Sequence, residues 1–146
     1  MQIVDAHRHL WDLSRNYHPW LCDHPPISFR YGDYHKICNN FLPEDYERDS
    51  AGYVVVGSVH IEAEWDPSDP VAETRWLDTI APESRHTLVV VAQARLDQED
   101  VEDVLRAHAA SPNMRGVRHK PAASLTAHGV KRGGVGSMDD PRWRDG

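Results

Sequence analysis

Cysteine is almost missing from this chain. Cys22 and Cys38 are its only two, too few for a disulfide framework, and they do not form a Cys-x-x-Cys pair. Positive charge is also short: Lys and Arg number 16 against 23 Asp and Glu, a formal net charge of −7. An acidic chain is a poor partner for a nucleic-acid backbone or an anionic membrane surface. The one basic cluster, Arg115, Arg118, His119 and Lys120, is too small and interrupted to read as a nucleic-acid patch. No apolar run approaches the roughly 18 residues of a membrane span, and no basic stretch followed by an apolar one marks a signal peptide. Also missing are a glycine-rich phosphate loop ending in Lys-Ser/Thr, a Gly-x-Ser-x-Gly elbow and a His-Glu-x-x-His helix. The expectation is a cytoplasmic protein acting on a small molecule, with neither nucleic acid nor membrane as partner.

Histidine, by contrast, is plentiful, with 10 in 146 residues. At that density chance supplies on the order of one His-x-His pair, so position has to carry the argument. The pair in IVDAHRHLWD directly follows Ile3 and Val4, which read as a short buried strand. In an extended strand side chains alternate, so His7 and His9 point one way and Arg8 the other. Two imidazoles so placed can close on one metal ion at roughly 2.0–2.1 Å if it is zinc. They can equally serve as two hydrogen-bonding groups at a strand end. His18, His24, His35, His86, His108 and His128 fall in loops or at element edges without a partner at ligand spacing, and are expected to be solvated or locally hydrogen-bonded.

Three more apolar runs follow: residues 53–61 (YVVVGSVHI), 87–94 (TLVVVAQA) and the shorter 114–118 (MRGVR). Continuous β-branched runs suit parallel strands covered on both faces. Helical patterns lie between them. Asp97 can cap residues 98–110, whose Val101, Val104, Leu105 and Ala109 form an apolar stripe. Asp69 and Pro70 can open a helix through Trp76, Leu77 and Ile80 as far as Pro82, and a weaker helix runs from Pro43 toward Ala51, with Gly52 ending it. Strand–helix alternation of this kind predicts an α/β fold with parallel strands. The place after the first strand holds His-Arg-His rather than a glycine-rich turn, which favours a (β/α)8 barrel over a doubly wound sheet.

A barrel takes about 250 residues, so about four βα units here make its N-terminal half. Residues 1–121 carry the four strands, and residues 122–146 a loop with Gly129, Gly133, Gly134 and Gly136. There Asp140-Pro141-Arg142-Trp143-Arg144 reads as the cap and first turn of the next helix. We therefore expect one partial domain, 1–146, that ends early and self-associates through exposed strand edges and an apolar interior. Residues 13–42, with Tyr17, Trp20, Phe29 and Tyr31, form a loop long enough to be a pocket wall, although a plain insertion would look the same.

The segments VDAHRHLWD, NYHPWL, VHIEAEWDPSDPVAETRWL and MRGVRHKP, in that order, resemble the amidohydrolase-related branch of the amidohydrolase superfamily. Within it the resemblance is to lactonase-like hydrolases, and it spans residues 3 to about 121. It implies a TIM barrel with its active site at the carboxyl ends of the strands. It implies that His7 and His9 bind one divalent metal ion, zinc foremost, although some members of this branch work without metal. It implies that Arg118 contacts a substrate carboxylate or carbonyl and that Trp11 lines the pocket.

Arg118 is chemically suited to that work, because its planar fork of donors stays charged at any working pH. It fits equally an ion pair with Glu62 or Glu64, and Trp11 fits plain packing. His60, Glu62 and Glu64 share a face by parity, as polar walls or as barrel-interior stabilisers. The aspartate expected as general base belongs to an eighth strand that this sequence does not contain. The expected reaction of a full-length protein is opening of a lactone or similar cyclic ester by activated water. Decarboxylation on the same barrel, or a non-catalytic fragment, are the rivals.

Overall fold

The computed structural model of the chain describes residues 1–26, 32–121 and 137–145. The chain forms strands β1 (Gln2–Arg8), β2 (Val54–Ile61), β3 (Thr87–Gln93) and β4 (Met114–Arg118), of which β2 and β3 are valine-rich. All three pairings are parallel, and the spatial order is β1-β2-β3-β4. Sequential neighbours joined by helical crossovers, as the alternation predicts, give a four-stranded α/β sheet.

The helices are α1 (Pro19–Cys22), α2 (Pro43–Asp49), α3 (Ala72–Ile80), α4 (Val101–Ala109) and α5 (Pro141–Asp145). Pro43 opens α2, where its missing N–H is no loss, and the Asp45 carboxylate takes the Leu42 N–H at 2.9 Å. Gly52, with φ +99°, turns the chain into β2. The last turn after α3 tightens to a 3₁₀ segment, Ala81–Glu83, running through Pro82.

Leu88, Val90 and Ala92 alternate onto one face of β3 and pack with Leu77 and Ile80 of α3, Tyr46 of α2 and Leu10. Each large apolar group buried there contributes about 1.5–3 kcal/mol. The opposite face carries Val59, Val89 and Val91, only half-buried. Val4, read from sequence as buried, is 62% exposed on β1, because no described element lies on its far side.

Several other expectations are corrected. Asp97 does not cap the fourth helix; Asp100 precedes α4, and Asp97 is buried against Arg95. Likewise α3 begins at Ala72, and Asp69 instead pairs with Arg75. Ala109 is exposed, and the buried position on α4 belongs to His108. His18 is buried as well, so neither histidine is solvated or held by neighbours in sequence. The long loop is not featureless: α1, a 3₁₀ turn at His35–Ile37 and an antiparallel bridge between Trp11 and Phe41 tie it down. Phe29, Tyr31, His128 and the four loop glycines lie outside the described residues.

Candidate functional site

The register of β1 against β2 slips between Asp5 and Arg8, a bulge across Ala6–His7. As a result Asp5 and Arg8 both face α2: the Tyr46 hydroxyl donates to Asp5 Oδ2 at 2.9 Å, and the Arg8 guanidinium lies 4.3 Å from the centre of the Tyr46 ring. Arg8 Nε also donates to Ser58 Oγ at 2.8 Å. The rings of His7 and His9 meet edge to face with the two Nε2 atoms 3.2 Å apart.

His9 donates from Nδ1 to the Ile61 carbonyl at 2.7 Å, which leaves its Nε2 as a lone pair aimed at His7. Burial above all, with the charges of His60, His7 and Arg118, pushes the His9 pKa down to about 4. The ring is therefore neutral at pH 7, the form that can coordinate a metal. Two nitrogens bound tetrahedrally to one zinc at roughly 2.0–2.1 Å lie about 3.3 Å apart, so the 3.2 Å spacing fits a shared ion. Among the described residues no group of three or more His, Cys, Asp or Glu side chains gathers for a metal.

Arg118, at the end of β4, donates from Nε to Glu62 Oε1 at 2.6 Å and from Nη2 to the Glu62 carbonyl at 2.8 Å. The ion pair with Glu62 anticipated from sequence is thus present, and Glu62 is wholly buried. The consecutive carbonyls of Ile61 and Glu62 accept from His9 and Arg118 respectively, so the end of β2 is the template for both. Glu62 Oε2 in turn takes the N–H of Glu64, whose φ of +55° is unusual for a residue other than glycine. Glu64 itself is salt-bridged to Lys120.

Trp11 stacks beside His9 with ring centres 6.2 Å apart, and its indole N–H donates to the Asn39 carbonyl at 2.7 Å. At 8% exposure it is packed against Trp20 and Phe41. His60 does not share a wall with Glu62 and Glu64. Its ring is buried toward α3, where it meets Glu73.

The sequence reading missed Glu73. A signal exists: Glu73 shares helical spacing with Leu77 and Ile80, so it is a carboxylate on the core stripe of α3. The Ala63 peptide is a second hub, its carbonyl accepting from His18 Nδ1 at 3.0 Å and Trp20 Nε1 at 2.8 Å. These bonds fasten the loop containing α1 beside the end of β2.

No family model matches the chain, and no solved structure matches it. It is 39% identical over 116 residues to the uncharacterized protein y4mH of Sinorhizobium fredii. That match takes in 80% of the present chain and 39% of y4mH, so the chain spans well under half the length of this relative.

Proposed function

We propose that the chain is the N-terminal part of an amidohydrolase-type (β/α)8 barrel enzyme that opens a lactone or similar cyclic ester. The observation that carries the reading is the convergence of His7 and His9, Nε2 to Nε2, beside an arginine held at the end of the fourth parallel strand. In barrels of this kind, residues at the strand carboxyl ends do the chemistry. His7, His9, Glu62 and Arg118 all lie at or next to such ends.

Two further features support a barrel. Helices cover one face of the parallel sheet while the other stays half-buried and apolar, and parallel sheets are ordinarily covered on both faces. The y4mH relative, of which 116 residues are 39%, is on the order of 300 residues long, enough for eight βα units.

His7 and His9 would hold a divalent metal, zinc foremost, through their Nε2 atoms. When bound, such an ion lowers the pKa of a water and polarises a carbonyl. Arg118 offers guanidinium N–H groups to a substrate carboxylate or a developing oxyanion, while Glu62 keeps the fork from swinging away. Trp11 packs behind His9 and restricts its ring. The general base would come from the remainder of the barrel. Decarboxylation of a carboxylated substrate on the same ligands is the second reading, because Arg118 would grip that substrate equally well.

The test uses a full-length homologue carrying these residues, assayed on a lactone panel with His7→Ala, His9→Ala and Arg118→Ala. Expected is a loss of at least 10²-fold in kcat/KM for each, with acid as the product. Turnover near wild type in all three would sink the proposal, and carbon dioxide as the product would shift it to the decarboxylase.

A further inference from the structure

His9 is followed at once by Leu10, whose N–H donates to His60 Nδ1 at 3.2 Å. A nitrogen that accepts cannot also carry the proton, so the proton of neutral His60 sits on Nε2. From there it is donated to Glu73 Oε1 at 3.0 Å. The same Oε1 takes the Ala63 N–H at 2.9 Å. One carboxylate oxygen on α3 therefore ties down the peptide next to His9 and the segment that follows Ile61 and Glu62, the two carbonyls that hold His9 and Arg118. His60 and Glu73 are essentially inaccessible to solvent, and the His60 ring lies 6.1 Å from that of His9, edge-on.

Simple packing does not account for this arrangement. Burying a carboxylate is costly, and apolar residues of similar size are often at least as stabilising. A buried polar chain that joins two strand ends beside a pair of imidazoles has the form of the outer partners that orient metal-binding histidines.

We propose that Glu73 and His60 form a positioning pair that fixes the His9 backbone and the Glu62–Ala63 peptide at the end of β2, so that the ligand geometry of the His7–His9 site depends on α3. The inference rests on the metal reading given above. Neither residue touches the metal or the substrate; both act through the Leu10 and Ala63 peptides. Removing the pair leaves the His9 ring in place but lets the strand end breathe, which costs metal affinity before it costs the fold.

The experiment measures zinc affinity of the 146-residue chain by competition with a chromogenic chelator, together with thermal unfolding and amide hydrogen exchange. Glu73→Leu and His60→Leu are expected to weaken zinc binding about 10- to 100-fold. Glu73→Gln keeps an acceptor at Oε1 and should restore affinity to within about threefold of wild type. Wild-type Leu10 and Ala63 amides should exchange slowly.

Zinc affinity lost in His9→Ala but kept in a folded Glu73→Leu overturns the positioning role and spares the metal site. Zinc affinity unchanged by both His7→Ala and His9→Ala overturns the metal reading and this role with it. Should the leucine variants not fold, rapid exchange at Leu10 in the wild type, or a His60 proton found on Nδ1 by nitrogen NMR, overturns the proposal without them.

Discussion

Arg118 grips Glu62 through a side-chain and a main-chain oxygen, and Glu62 has no contact with water. Truncating the arginine leaves that carboxylate buried without its cation. Arg118→Ala should therefore cost roughly 2–4 kcal/mol in urea unfolding, below the top of the range because solvent reaches the guanidinium. Arg118→Lys should recover only part, since an ammonium cannot reproduce the two-pronged contact. His108 supplies a pH prediction. Its Nε2–H donates to the Gln93 carbonyl at 2.9 Å and its Nδ1 takes the Thr74 hydroxyl at 2.9 Å, so both ring nitrogens are committed in the neutral form. Burial, the leading cause, lowers its pKa below the usual 6.5. As pH falls through about 6.5 the unfolded chain takes up a proton that the folded one refuses, so this contribution is present above that pH and lost below it. The urea midpoint should drop between about pH 7.5 and 5.5, and His108→Gln should flatten that slope; an identical slope in the variant would remove the assignment. The histidine pair stood out as a candidate from its place after the first strand, and Arg118 from the resemblance of MRGVRHKP to the lactonase-like hydrolases. Glu73 and His108 did not, because their role is set by what packs over them from elsewhere in the chain.

Among the elements, α3 bears the most on the core. Leu77 is fully buried against Leu88, Val90 and Tyr46, so Leu77→Ala should destabilise by about 2–5 kcal/mol, read as a shift in urea midpoint without loss of cooperativity. All four strands and the three crossover helices could be read from short apolar runs, helical stripes and cap or stop residues. Their ends could not. Asp97 and Asp69 have the chemistry of caps, yet each is drawn to an arginine, Arg95 and Arg75 respectively. The helices then start three residues later in one case and two in the other. A cap contributes only about 1 kcal/mol, so a competing ion pair can move the boundary. The bulge in β1 was hidden for a related reason. Strict alternation placed Asp5 opposite Arg8, whereas the slip brings both to Tyr46 and still leaves His7 and His9 together.

For the whole molecule, the decisive property is an α/β sheet with helices on one face. Among the described residues β1 and β4 are its edges, Val4 is largely bare on the first, and a cleft of about 580 Å³ lined by Val4, Asp5, Arg8 and Phe41 runs beside it. Unpaired parallel edges and a bare apolar face favour association. The 146-residue chain should show an apparent mass that rises with concentration in light scattering, and Val4→Lys combined with Val117→Lys should suppress the rise. A concentration-independent monomer would count against this. No described helix is long and apolar enough to cross a membrane. By itself the sequence determined the order of the elements and the parallel pairing of the strands, because each follows from local periodicity and right-handed connection. Only the tertiary structure decided that Ile61 and Glu62 hold out adjacent carbonyls to His9 and Arg118, and that Glu73 reaches across from a helix to steady them. Those contacts join residues up to 56 positions apart, and no local pattern encodes which buried donor will meet which acceptor until the sheet has formed.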